Sequence, residues 1–175
     1  MERSSSRVLV VDDHEPFRRF ICSKLVDRPE LQIVGEIYNG FDAVQKAEEL
    51  QPDLIVLDIG LPTLNGIEGA RRIRKVSPES KILFLSQESS ADVVQGALGT
   101  GAHGYVVKMD AGSELLEAVD AVLRGEMFVG SRFSVHDFVA ASHAEGSSGP
   151  ARQQCLQAAP AEYGNHPSPQ GGLLL

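Results

Sequence analysis

Four short apolar runs of this chain each end in polar residues that could do chemistry together. Asp12 and Asp13 follow Val8-Leu9-Val10-Val11, and Asp58 follows Leu54-Ile55-Val56-Leu57. Ser86 follows Ile82-Leu83-Phe84-Leu85, and Lys108 follows Tyr105-Val106-Val107. If these runs are parallel strands of one sheet, all five polar side chains line one rim. Three carboxylates meeting there repel strongly unless a cation sits among them. An oxygen-only set that leaves room for retained waters favours Mg²⁺. A carboxylate nucleophile in such a place can form an acyl phosphate. The metal neutralises charge between carboxylate and phosphoryl oxygens, and Lys108 supplies a second positive contact. What remains for the protein is positioning and charge stabilisation. A phosphoryl group adds about −1.5 to −2 charge and several acceptor oxygens. Ser86 would swing toward those oxygens, and Tyr105 is placed to fill the space it leaves, a two-state movement driven by local charge. One acidic residue at a strand end is ordinary; three carboxylates, a hydroxyl and a lysine in this order are not.

The elements between these residues alternate. The spacing predicts a strand over Arg7–Val11, then a helix over Glu15–Arg28, with Phe17, Phe20, Ile21 and Leu25 on one face. Pro16 suits a first helical turn. Leu31–Ile37 alternates as an edge strand does. Asn39 and Gly40 introduce a helix carrying Ala43, Val44, Ala47 and Leu50, which ends before Pro52. Leu54–Leu57 is apolar on both faces, the mark of a central parallel strand. Gly60, Pro62 and Gly66 shape the loop before a helix over Ile67–Val76. Ile82–Leu85 is a second buried strand. A helix over Ala91–Thr100 holds Gly96 and Gly99, each costing about 1 kcal/mol against alanine, and is expected to be soft. Tyr105–Val107 is the fifth strand. A last helix carries Leu115, Leu116, Val119, Val122 and Leu123. Strands alternating with helices imply a parallel sheet covered on both faces, with right-handed crossovers and function at the carboxyl ends of the strands.

The net charge of −8 across 175 residues argues against a dominant nucleic-acid surface. No apolar run approaches the roughly 20 residues that span a bilayer, and the run before Asp12 is too short for a signal-peptide core. The cytoplasm is therefore expected. Cys22 and Cys155 offer neither a disulfide framework nor metal spacing, and Cys22 is read as a buried, inert thiol. His14 is read as a solvent-facing rim residue. From Ser134 onward the apolar periodicity fades into Gly, Ser, Pro, Ala and Gln, so residues 131–175 are expected to be a largely disordered tail. Val135, Phe138 and Val139 could add one short helix.

Taken together, the motifs Val8-Leu-Val-Val-Asp12-Asp13-His14, Pro52-Asp-Leu-Ile-Val-Leu-Asp58-Ile-Gly-Leu-Pro62 with Gly66, Leu83-Phe-Leu-Ser86, and Gly101-Ala-His-Gly-Tyr105-Val-Val-Lys108 resemble the receiver domain of two-component response regulators. The last motif and the Asp-Ile-Gly-Leu-Pro stretch are most similar to the NarL/FixJ type. The resemblance covers Arg7 to Gly130 and implies a receiver domain over residues 1–130. The implied fold is α/β and flavodoxin-like, a doubly wound five-stranded parallel sheet of strand order 2-1-3-4-5 with helices on both faces. By this resemblance Asp58 is the phosphoacceptor in a bacterial phosphorelay. Asp13 and Asp58 would bind Mg²⁺ directly, Asp12 through water, and the Gly60 carbonyl would be a further ligand. Ser86 and Tyr105 would be the switch pair, and Lys108 the phosphoryl contact. The donor would be a sensor histidine kinase or a histidine phosphotransfer protein. The altered surface would involve the fourth helix, fifth strand and fifth helix, and would serve a downstream protein target or a homodimer. Such a chain is a switch that assists its own phosphorylation and dephosphorylation rather than an enzyme in the ordinary sense.

Two features depart from the family pattern. Gln87 stands where a small residue is usual, and it either narrows access for small donors or points to solvent. The tail is too short, too glycine-rich and too poor in basic residues for the helix-turn-helix domain that usually follows, so direct nucleic-acid or membrane binding is not expected. Either the receiver acts alone or the sequence belongs to a longer protein. The competing readings are an interaction module that is never phosphorylated, and a hydrolase with an aspartate nucleophile. The hydrolase would want a second acid two residues after Asp58, where this chain has Gly60.

Overall fold

The central strands of the sheet alternate their side chains between two helical layers, and this alternation builds the protein. The computed structural model describes residues 5–133. In it β1 (Ser6–Val11) leads to α1 (Glu15–Val26), β2 (Leu31–Ile37) to α2 (Gly40–Leu50), and β3 (Leu54–Leu57) to α3 (Gly66–Val76). Next come β4 (Lys81–Ser86) and α4 (Ala91–Leu98), then β5 (Gly104–Val107), a 3-10 turn over Lys108–Asp110 and α5 (Ala111–Leu123). A sixth strand, β6 (Phe128–Val129), was not expected from the sequence. Two residues are too few to show any periodicity. The sheet order is β2-β1-β3-β4-β5-β6, with every pairing parallel. The expected order of the first five strands is observed, and β6 is added beside β5.

Leu9, Val11, Ile55, Leu57, Ile82, Phe84, Tyr105 and Val107 face α2, α3 and α4, where Ala43, Ala47, Ala70, Ile73, Val94 and Ala97 meet them. Val8, Val10, Leu54, Val56, Leu83, Leu85 and Val106 face α1 and α5, through Ile21, Leu25, Leu115, Val119 and Val122. Small residues on α2 let that helix lie close to the strands. Burying each large aliphatic side chain contributes about 1.5–3 kcal/mol, so β3, buried along its whole length, and β4, buried from Ile82 to Ser86, anchor the sheet.

Helix ends differ from expectation where local capping overrides periodicity. α1 stops at Val26 because the Asp27 amide already bonds back to the Leu25 carbonyl, ahead of Pro29. α4 stops at Leu98 instead of Thr100, whose hydroxyl caps the Ala97 carbonyl. α2 and α3 each begin with an asparagine whose side chain accepts from the amide three residues on, Asp42 and Glu68 respectively. Cys22 is half-buried rather than buried as expected, and burial followed by the nearby Glu36 pushes its thiol up to about 11. The expectations for Val135, Phe138, Val139 and Cys155 lie outside the described residues.

At the amino ends of β3 and β4 two fully buried serines form a polar cluster with the exposed Gln51. The Ser77 and Ser80 hydroxyls lie 2.6 Å apart, Ser80 donates to the Pro52 carbonyl at 2.5 Å, and Ser77 donates to Gln51 Oε1 at 3.1 Å. Gln51 Nε2 donates in turn to the Val76 carbonyl at 2.9 Å. Nearby, His103 Nδ1 accepts from the Ile82 amide at 3.3 Å, which requires that nitrogen to be unprotonated. Burial, and then Arg74 and Lys81, hold the His103 pKa below its ordinary 6.5. The unfolded chain therefore takes up this proton first as pH falls. The His103 contribution is complete above pH about 6.5 and is lost as pH falls through the lower folded value. Urea midpoints should fall between pH 7.5 and 5.5, and His103→Gln should fall distinctly less than wild type. Equal losses in the two proteins would remove His103 from the account.

Candidate functional site

All five rim residues do converge at the carboxyl ends of the strands. β1 and β3 are hydrogen-bonded neighbours, with Val11 level with Leu57, so Asp12 and Asp58 emerge side by side. Asp12, Asp13 and Asp58 each place one carboxylate oxygen within 4.8 Å of the other two. Lys108 arrives from the end of β5, its Nζ 2.7 Å from Asp12 Oδ2 and 2.9 Å from Asp58 Oδ2. Asp58 Oδ1 accepts from the Gly60 amide at 3.2 Å, and Asp12 Oδ1 from the His14 amide at 2.8 Å. Asp12 and Asp58 are buried, whereas Asp13 is exposed.

Asp13, Asp58, Gly60, Ser86 and Lys108 all line one open cavity of about 390 Å³. His14 lies at its mouth, exposed as expected. Gln87 is also exposed and lines the same mouth, so its side chain borders both solvent and the entrance.

The electrostatics follow from burial. Desolvation raises the Asp12 carboxyl above the usual carboxylate range, outweighing the lowering by Lys108 and the His14 amide. Desolvation also pulls the Lys108 ammonium down, but its contacts with Asp12 and Asp58 together win, and its pKa is raised. The lysine stays charged. Three carboxylates against one ammonium leave an excess of two negative charges when all are ionised, a donor set suited to a hard divalent cation.

Ser86 is buried, and its Oγ accepts from the Glu88 amide at 3.3 Å. Tyr105 does not reach the cavity. Its ring is fully buried against Phe84, and its hydroxyl donates to the Glu88 carbonyl at 2.8 Å. Burial pushes the Tyr105 phenol up to about 12. Ser86 and Tyr105 thus grip the same residue, Glu88, one at its amide and the other at its carbonyl.

Three close contacts around the site were not evident from the sequence. Phe17 places its ring 4.8 Å from Lys108 Nζ, a cation–π contact from α1 that backs the ammonium. Gly40 and Gly66 let backbone close in on the loop between β3 and α3. A Cβ on Gly40 would lie 2.1 Å from the Leu64 carbonyl oxygen, and one on Gly66 would lie 2.0 Å from the Asp58 carbonyl oxygen. Gly66 was expected to shape the loop, but not to touch the Asp58 backbone. The glycine pattern hinted at this; the Phe17 contact had no signal in sequence.

Residues 8–120 match the family model described as the response regulator receiver domain. Among curated proteins, one from Pseudomonas aeruginosa that carries the name of a transcriptional regulator is 42% identical over 120 residues, covering 69% of this chain and 58% of its own. The response regulator protein VraR of Staphylococcus epidermidis is 37% identical over 120 residues, covering 69% of this chain and 57% of its own. The chain therefore spans little more than half the length of the relatives it matches. Among solved structures, a LuxR-family two-component response regulator from Aurantimonas sp. matches with a TM-score of 0.72 and 28% identity, covering 80% of this chain and 99% of that one. The response regulator domain of Thermotoga maritima CheB matches with a TM-score of 0.62 and 33% identity, covering 70% of this chain and 96% of that one. Among the described residues no helix is long and apolar enough to cross a membrane. With the family model, the aligned relatives and the sheet order in agreement, this chain belongs to the receiver domains of two-component response regulators.

Proposed function

We propose that the chain is a Mg²⁺-dependent phosphoryl acceptor in which Asp58 takes the group from a sensor histidine kinase or a histidine phosphotransfer protein. The observation that carries this reading is the meeting of Asp12, Asp13 and Asp58 with Lys108, of which Asp13, Asp58 and Lys108 line one open cavity. Asp13, Asp58 and the Gly60 carbonyl would hold the ion, with Asp12 acting through water; the exposure of Asp13 and burial of Asp12 fit that division. When bound, the ion neutralises charge that would otherwise keep a phosphodonor away.

The chain's own residues do the rest. The Gly60 amide and Lys108 hold the two oxygens of Asp58, fixing the carboxylate for attack. One Asp58 oxygen bonds to phosphorus as the phosphorus–nitrogen bond of the donor histidine breaks, and the imidazole leaves with the electron pair. Lys108, already at Asp58 Oδ2, is positioned to meet a phosphoryl oxygen. Ser86, on the cavity wall, is positioned to reach another and to draw Glu88 with it. Tyr105 completes the switch, and the response involves α4, β5 and α5. A downstream protein is the proposed recipient, in the cytoplasm, and the product is one phosphoryl group held per chain.

Phosphoramidate with Mg²⁺ should add one phosphoryl group per chain, removable by hydroxylamine as an acyl phosphate is, and EDTA should prevent it. The reading is lost if neither a small donor nor a partner kinase labels the protein. Sustained turnover of a simple phosphomonoester would instead point to the hydrolase reading.

A further inference from the structure

The chain does not leave the domain at the end of α5. It returns through β6 alongside β5, where the Phe128 amide bonds to the His103 carbonyl and the Gly130 amide to the Tyr105 carbonyl, each within 3.1 Å. The next three residues are tied down individually. Glu114, 9% exposed on α5, accepts from the Ser131 amide at 2.9 Å and from its hydroxyl. Arg132 pairs with Asp110. Phe133 crosses to the other face of the sheet and meets the Tyr105 ring edge-on, with centroids 6.0 Å apart. These contacts form a strap around the β5 edge, anchored on α5 and ending on Tyr105.

A continuous set of contacts then joins the acidic cavity to the strap. Ser86 lines the cavity and accepts from the Glu88 amide, the Glu88 carbonyl accepts from the Tyr105 hydroxyl, and the Tyr105 ring carries Phe133. We propose that Phe128–Phe133 is the domain's built-in reader of the Tyr105 position, so that occupancy at Asp58 is passed to the chain that follows residue 133. The proposal rests on the phosphoacceptor reading. Drawing Ser86 toward a phosphoryl group fixes the loop that carries Glu88. Fixing that carbonyl fixes the hydroxyl it binds and the ring beneath Phe133. The strap tightens. Because coupling is reciprocal, loosening the strap must weaken occupancy of the site by the same factor.

The test uses the full chain with Mg²⁺ and beryllium fluoride, a phosphoryl mimic whose binding is followed separately by the fluorine resonance of the bound ion. Loading should slow amide exchange over residues 128–133 by about fivefold, and Phe133→Ala should weaken fluoride binding by a similar factor. Tyr105→Phe, which keeps the ring and loses the hydroxyl, should bind fluoride yet leave strap exchange unchanged on loading. Should fluoride bind while the strap exchanges as before, or should the strap respond fully in Tyr105→Phe, the reader proposal is wrong and the phosphoacceptor reading stands. Failure of fluoride to bind wild type would remove both.

Discussion

Asp58→Asn should abolish phosphoramidate labelling completely while leaving a folded protein of nearly wild-type stability. The substitution keeps the shape of a buried side chain, and its amide oxygen can still accept from the Gly60 amide, as Asp58 Oδ1 does at 3.2 Å. What it removes is charge. Without metal, the loss has two opposing effects: Lys108 keeps only its Asp12 partner, and repulsion among the three carboxylates is relieved. Stability in EDTA should therefore change by no more than about 1 kcal/mol, as for a conservative change that opens no cavity. With metal the outcome differs. One anionic ligand is gone, and Mg²⁺ should bind at least about tenfold more weakly, or about 1.4 kcal/mol. Intact-protein mass and isothermal titration read the two effects separately. A hydroxylamine-sensitive label surviving in the Asp58→Asn variant would move the acceptor to Asp12 or Asp13.

The second large effect is expected at a residue with no chemistry of its own. In Gly66→Ala the added methyl would stand 2.0 Å from the Asp58 carbonyl oxygen and 2.8 Å from the Ile59 Cα. These are backbone atoms, so no change of rotamer relieves the overlap. The Gly66 amide also donates to the Ile59 carbonyl at 2.9 Å, which pins the start of α3 to the residue after Asp58. Either α3 or the end of β3 must move. Overpacking of this kind costs about 3 kcal/mol, and here it meets rigid backbone. For a domain of this size that lowers the melting temperature by roughly 10 °C. Because the displaced atoms belong to Asp58, Mg²⁺ should restore less stability to this variant than to wild type. Thermal melts with and without Mg²⁺ test both points, and a variant melting within about 3 °C of wild type would mean the loop yields freely. Gly69→Ala, with nothing within 4 Å of the added methyl, is the matched control on the same helix.

Much of the fold and site was legible because it depends on short-range patterns. Leu54–Leu57 reads as a central strand because it is apolar on both faces, and it is buried at every residue. The rim chemistry was readable because a parallel sheet delivers whatever follows each strand to one edge; Asp12, Asp58, Ser86 and Lys108 needed only that rule. Contacts between residues remote in sequence were not legible. Phe17 is drawn over Lys108 by the packing of α1, and Phe133 over Tyr105 by a chain reversal whose destination sequence alone does not give. Glu114 looks like an ordinary acidic residue of an amphipathic helix until the returning strap encloses it. β6 failed the same way, since a two-residue strand exists only through its partner.

The enclosed serines beneath β3 and β4 have a bearing on where this domain can flex. Their hydroxyls bind Gln51 and Pro52 below the sheet, so the ends of the strands remote from Asp58 are riveted, whereas the opposite ends carry loops open to solvent. A lever fixed at one end amplifies displacement at the other. On the proposed phosphoacceptor reading, work done by an incoming anion would fall on the upper half of the molecule, with little lost in deforming its floor.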